Sequence, residues 1–337
     1  MKAKSFLPVI LVLFFALSSC TREVKVGFLM DTFKQERWSK DRDLFLQHAR
    51  DLKAHVVLLA AEGDATKQIQ QARELLDGKV KVLVVVPVDQ YSAATIVSLA
   101  HQYGVKVLAY DRIIRNCDLD MYISFDNVEV GRLQADYLTR ACPKGKYCMI
   151  GGATTDYNSS LIRIGQMNVL QPLIEKGDIQ LVYDRFVSKW TQEEGYRSMK
   201  ECLDKNPKID AVLAANDDLA TGAAKALQEK KLEGKVLLAG QDADLDACQR
   251  IVRGTQTMTV YKPIEAIAYR AVEIACKLGR NQPVENLSMS VNNGKIMVPS
   301  MLLKPMSVNK ETIKLTVIAD GYLQENKIFT NPKGQSK

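Results

Sequence analysis

The chain has 337 residues, 47% hydrophobic and 25% charged, with a formal charge of +7. That length favours two domains over a single core, and glycine and proline are too sparse for a disordered or fibrous protein. Lysine and arginine are scattered, and Lys2 and Lys4 belong to a removable leader, leaving about +5, which argues against a nucleic-acid partner.

The leader comes first. Lys2 and Lys4 precede a twelve-residue apolar run, Phe6 to Leu17, and Leu17-Ser18-Ser19-Cys20 follows at once. Twelve residues are too few to span a bilayer as a helix, so 1–20 reads as an export signal. Small residues leading into a cysteine resemble a bacterial lipobox. That implies cleavage before Cys20, lipidation of Cys20 and a membrane-tethered mature chain outside the cytoplasm. Six further cysteines follow, and Cys142 and Cys148, flanking Pro143-Lys144-Gly145, are near enough in sequence for a local disulfide in an oxidising compartment. No C-x-x-C or histidine-containing ligand spacing occurs, and no metal or cofactor is expected.

From Val24 onward apolar runs alternate with segments of helical period. Residues 24–30, 54–60, 80–86 and 105–110 read as strands whose unbroken hydrophobicity suits a parallel sheet covered on both faces. Helices are expected between them at 38–53, 65–77 and 90–103. A second series follows, with strands at 146–151, 179–186, 211–215 and 236–239. Its helices are expected near 159–176, 192–205, 217–230 and 242–253. A strand over 255–260, a helix ending at Leu278 and a strand-like stretch over 288–303 close the body, before a polar tail at 331–337. The fold class is α/β, with two doubly wound parallel-sheet lobes joined by a hinge. The expected division is 22–125 with 263–300 for the first lobe and 126–262 with 301–330 for the second.

Four charged motifs each follow an apolar, strand-like run: Glu36-Arg37-Trp38-Ser39-Lys40-Asp41, Asp111-Arg112, Asn216-Asp217-Asp218 and Gln241-Asp242-Ala243-Asp244. In open parallel sheets ligands bind outside the carboxyl ends of the strands, so one fold can gather all four around a polar small molecule. The first, second and fourth of these motifs, together with Tyr122-Ile123-Ser124-Phe125-Asp126-Asn127 and the run from Gly254 to Pro263, resemble the pentose and hexose group of type I periplasmic solute-binding proteins. The resemblance extends from about Val24 to about Gly321. It implies a monomeric receptor that closes two lobes on a monosaccharide, D-xylose before other pentoses. The closed form would be presented to an ABC permease or, as a second output, to a membrane sensor kinase.

The chemistry of the motifs suits a sugar: carboxylates and amides accept from or bridge hydroxyls, guanidinium donates in parallel, and an indole covers a C–H face. By resemblance Arg37 and Lys40 donate from the first strand-helix loop, and Trp38 packs on the sugar or supports that loop. Asp111 and Arg112 form an acceptor beside a forked donor. From the second lobe come Asn158, which also fits a helix N-cap, and Trp190, as stacking residue or hinge packing. Asn216 is preferred over Asp217, which fits a helix cap. Asp242 accepts from two hydroxyls, and Lys262, at a lobe crossover, donates or is a hinge surface charge.

Enzyme readings fare poorly. His48, His55 and His101 fall within expected helices or at a strand start, so no nucleophile-base pair is visible, and no G-x-G-x-x-G or P-loop occurs around Gly151-Gly152 or Gly240. A sugar-responsive repressor would carry a helix-turn-helix where this chain carries an export signal.

Overall fold

The structure, a computed structural model, describes residues 23–285, 287 and 289–330. The export signal with Cys20, and the tail at 331–337, lie outside them.

The first lobe begins with β1 (Val24–Met30), α1 (Glu36–Asp51), β2 (Ala54–Ala60), α2 (Ala65–Asp77), β3 (Val82–Val85), α3 (Ala94–Gln102), β4 (Lys106–Tyr110) and β5 (Met121–Phe125). Val82-Leu83-Val84-Val85 is wholly buried, as a strand with helices on both faces must be. The chain then enters the second lobe through α4 (Asn127–Ala141), β6 (Gly145–Ala153), α5 (Tyr157–Glu175), β7 (Ile179–Val187), α6 (Gln192–Lys205), β8 (Ala211–Ala214), α7 (Asp217–Glu229), β9 (Leu237–Ala239), α8 (Leu245–Arg253) and β10 (Thr259–Tyr261). It returns as α9 (Ile264–Gly279), β11 (Met289–Asn292) and β12 (Met297–Leu303), and ends with β13 (Met306–Val308) and α10 (Glu325–Ile328).

The first sheet is ordered β11-β12-β5-β4-β3-β1-β2, the second β7-β6-β8-β9, and β10 pairs with β13 in a separate ribbon. All pairings in the two sheets are parallel except β11 with β12. Both sheets reverse direction of growth beside their first strand, at β1/β3 and β6/β8. A crevice opens at such a switch point, and the two crevices face one another. Among the described residues the chain crosses between lobes at 125–127, 261–264 and 303–306. The third crossing lies past residue 300 because β12 keeps its pairing with β5 through Leu303↔Phe125.

Several expected elements change. The strand expected at 255–260 begins only at Thr259, and the helix expected from 242 begins at Leu245, because Asp242 and Ala243 have φ of 99° and 55°, which a right-handed helix excludes. Cys142 and Cys148 are not bridged. Cys148 lies within β6 in the core of the second lobe, whereas Cys142 sits at the C-terminal end of α4 with its Sγ 3.1 Å from the Lys144 carbonyl. No described helix is long and apolar enough to cross a membrane.

Candidate functional site

A cavity lies between the lobes, lined by polar, charged and indole side chains from both. It collects side chains from the carboxyl ends of strands on both sides. Arg37 and Trp38 come from the first turn of α1, Asp111 and Arg112 follow β4, and Asn127 follows β5. From the other lobe come Asp156 and Asn158 after β6, Trp190 after β7, Asn216 and Asp218 after β8, Gln241, Asp242 and Asp244 after β9, and Lys262 after β10.

Nine of the ten candidates therefore meet at one cavity; Lys40 does not. Its ammonium lies 2.9 Å from Glu36 Oε1 and 4.1 Å from the centre of the Tyr322 ring. The helix turn that aims Arg37 and Asp41 inward turns Lys40 toward the C-terminal segment.

In the first lobe the charges are paired before any ligand is considered. Arg37 reaches Asp41 at 3.1 Å through Nε and Asp111 at 2.5 Å through Nη2. Burial opposes the charge on Asp111, and Arg37, Lys262 and Arg112 together outweigh it, holding the carboxyl below its usual range. Burial keeps Asp41 above that range despite Arg37. Arg112 binds Asp31 at 2.6 Å through Nη1 and lies 2.9 Å from Asp156, across the cleft, through Nε. Trp38 is buried beneath both guanidiniums, 4.7 Å from that of Arg37 and 5.2 Å from that of Arg112, and its Nε1 donates to Gln35. It thus supports the two arginines and also lines the cavity.

The second lobe presents Asp242, with Lys262 Nζ at 2.8 Å and Arg37 Nη1 at 3.7 Å. Asp111 and Asp242 occupy equivalent places, at the ends of β4 and β9, and both have positive φ, 62° and 99°. Strained backbone of this kind persists where surrounding contacts hold it, and here it turns two carboxylates into one cavity.

Helix capping differs from expectation at two residues. Asn216, not Asp217, caps α7, its side chain accepting from Leu219 N at 3.0 Å. Asp217 is buried behind it, accepting from Gln256 Nε2, Thr259 Oγ1 and Asp244 N at 2.8–3.1 Å. Asp156, not Asn158, caps α5, and Asn158 Nδ2 instead donates across the cleft to the Asp111 carbonyl at 3.1 Å.

Two glycines make room for the site. A Cβ on Gly152 would lie 1.9 Å from the Trp190 ring, and one on Gly240 would lie 2.0 Å from Asp217 Oδ1. The space left by Gly152 on β6 is taken by the six-membered ring of the indole.

Gln35, Asn127, Asp156, Asp218 and Asp244 also line the cavity without having been candidate residues. Asp218 and Asp244 stand inside the charged motifs themselves, and Asp156 stands two residues before Asn158; position after a strand was the signal available. Burial raises Asp218 and Asp156, and burial with the neighbouring Asp217, Asp242 and Asp218 raises Asp244 well above the carboxylate range.

The cavity mixes unsatisfied donors and acceptors. Asn158 Oδ1, Gln241 Oε1 and Trp190 Nε1 are buried without a hydrogen-bond partner, and Asp242 Oδ1 and Arg112 Nε have ion-pair contacts only. Such groups cost free energy unless a ligand matches them. Among the described residues no cluster of histidine, cysteine or carboxylate side chains could hold a metal ion.

A family profile described as "Periplasmic binding protein domain" matches residues 26–283. The chain is 44% identical over 316 residues to the D-xylose-binding periplasmic protein of Haemophilus influenzae, covering 94% of this chain and 95% of that one. It is 46% identical over 308 residues to the protein of the same name from Escherichia coli, covering 91% and 93%. Among solved structures, a carbohydrate transporter solute-binding protein from Chloroflexus aurantiacus in complex with D-glucose superposes with a TM-score of 0.85 at 27% identity, covering 91% of this chain and 98% of that one.

Proposed function

The chain belongs to the periplasmic-binding-protein family, and from that premise we propose that it is the receptor of a monosaccharide, D-xylose, captured between its lobes and delivered to an ABC importer. Members of this family bind solutes and are not enzymes, so the cavity is built for recognition. The observation that carries the sugar reading is the set of unmatched donors and acceptors on both lobes, beside Trp190. A pyranose supplies hydroxyls that donate and accept, and C–H faces for an indole. The naming of two relatives at 44% and 46% identity supports D-xylose within that class.

The working set is Arg37, Asp111, Arg112, Asn158, Asn216, Asp242 and Lys262 for hydroxyls and Trp38 and Trp190 for ring faces. Because the sugar would touch both lobes only when they meet, its binding energy supplies the closure. Lipidation at Cys20 would tether the receptor near its permease.

Isothermal titration of the chain from Thr21 against D-xylose, L-arabinose, D-ribose, D-glucose and xylobiose tests this. Saturable one-to-one binding of D-xylose, lost in Arg112→Ala, is expected. Absence of heat with every one of them would overturn the reading.

A further inference from the structure

The lobes touch one another most closely outside the cavity, along the connection from β6 to α5. Gln90, between β3 and α3, donates its backbone N–H to the Thr155 carbonyl at 2.9 Å and its Nε2 to the Thr154 carbonyl at 3.0 Å. The Arg115 guanidinium lies 4.0 Å from the centre of the Tyr157 ring, and Arg112 and Asp156 form their ion pair between these two contacts. Of these residues, Gln90, Thr154, Thr155, Arg115 and Tyr157 do not line the cavity.

The receiving surface is fixed in advance. Arg115 N donates to the Gln90 carbonyl at 2.7 Å, and Asn293 Nδ2, from the turn between β11 and β12, donates to the carbonyls of Ile114 and Cys117 at 3.1 and 2.8 Å. Gln90 is 5% exposed, so its amide is dry when the contact is made and would be wet when it is broken. By contrast, the opposite flank of the cleft holds Gln35 Nε2 to the Trp190 carbonyl at 3.4 Å.

We infer that residues 154–157 form a latch on Gln90 and Arg115 that biases the lobes toward closure through protein contacts alone. It therefore scales the affinity for every ligand by a common factor and leaves the choice among sugars to the cavity. The reason is thermodynamic: a contact present only in the binding-competent state changes the population of that state, and the apparent dissociation constant is the intrinsic one divided by that population whatever the ligand. This rests on the sugar-receptor reading only for the choice of probes.

The test is Gln90→Ala, Arg115→Ala and Arg115→Lys in the otherwise complete chain from Thr21. Titration with D-xylose and D-glucose should show both dissociation constants raised by about three- to tenfold in each alanine variant, with their ratio unchanged within about twofold. Arg115→Lys, which keeps a cation over Tyr157, should restore most of the loss, which a merely misfolded variant would not do. In sugar-free protein, hydrogen exchange at the Gln90 amide should accelerate in Arg115→Ala, and small-angle scattering should shift toward a larger radius of gyration. A changed sugar ratio, or unchanged affinity with unchanged exchange and scattering, overturns the latch. If wild-type protein binds none of the five sugars named above, the sugar-receptor reading fails, while exchange and scattering still decide the latch.

Discussion

The two lobes share a fold and a backbone device, yet they bring opposite electrostatics to the cleft. In the first, two guanidiniums serve the carboxylates: Arg37 binds Asp41 and Asp111, and Arg112 binds Asp31. In the second, Asp217, Asp218, Asp242 and Asp244 crowd two short loops, and Arg250 directs Nε to Gln256 Oε1 and Nη2 to Thr221 Oγ1 rather than to a carboxylate. Asp242 receives its cations from elsewhere, Lys262 on the connection between lobes and Arg37 from the facing lobe. The first lobe is thus electrostatically finished by itself, and the second is finished by closure. Preorganised charges lower the cost of ordering a site, and complementary charges across an interface select the docked arrangement.

The largest effect should separate the two equivalent aspartates. Asp242→Asn removes the carboxylate toward which both Lys262 and Arg37 point, and sugar affinity should fall by at least about a hundredfold, since losing one partner of a buried charge costs several kcal/mol. Asp111→Asn leaves Arg37 its bond to Asp41, so the loss should be smaller, on the order of tenfold to a hundredfold. Titration of both variants with D-xylose orders them. An equal loss, or the reverse order, would break the comparison.

A change of pH should also load the lobes differently. Burial pushes Asp217 up to about 7, against the pull of Arg250 and hydrogen bonds from Gln256 and Thr259, and Asp218 and Asp244 are raised in the same direction. A carboxyl with a folded pKa above its unfolded value of roughly 3.9 holds a proton that the unfolded chain has released, so stability falls as pH rises from about 4 to about 7. In the first lobe Asp41 tilts the same way, while Asp111, held low by Arg37, Lys262 and Arg112 against burial, contributes stability present above about 4 and lost on acidification. The chain has two tryptophans, one in each lobe, so Trp38→Phe leaves Trp190 as reporter of the second and Trp190→Phe leaves Trp38 as reporter of the first. Urea unfolding of the Trp190-reporting variant should lose on the order of 1–4 kcal/mol between pH 4 and pH 7, and the other distinctly less. Equal slopes would show that the lobes carry the same burden.

Much of this was legible because a strand of apolar residues announces its own end, and the charged motif after it is then at a sheet edge. Arg37, Asp111, Asn216 and Asp242 were found that way. What escaped depends on partners distant in the chain. Met121–Phe125 and the helix at Asn127–Ala141 were not read as elements, although Tyr122 to Asn127 carried part of the resemblance, because five strand residues run directly into the Asp126 cap with no glycine or proline to mark a turn. The pairing of Met306–Val308 with Thr259–Tyr261 has no local signature. Asp156 was passed over for Asn158, since a cap and a cross-cleft ion pair use the same carboxylate and only the second requires the other lobe. The contact of Gln90 with Thr155 joins two connections that no periodicity relates.

Lys40 gives the smallest effect and the finest test of where the first lobe's charge ends. It shares a motif with Arg37 but leans on Glu36 and on the ring of Tyr322, whose hydroxyl donates to the Asp242 carbonyl at 3.2 Å. Any influence on the sugar must pass through that ring and the strained backbone it holds. The Glu36 carboxylate is about half exposed, which screens that pair, and the Lys40 ammonium, though itself buried against the ring, reaches the sugar only indirectly. Lys40→Ala should therefore change D-xylose affinity by less than about threefold, the equivalent of about 0.6 kcal/mol, by titration. A tenfold loss would place its ammonium among the cavity's donors, and the first lobe's cations Arg37, Arg112 and Lys40 would then match its carboxylates Asp31, Asp41 and Asp111 in number.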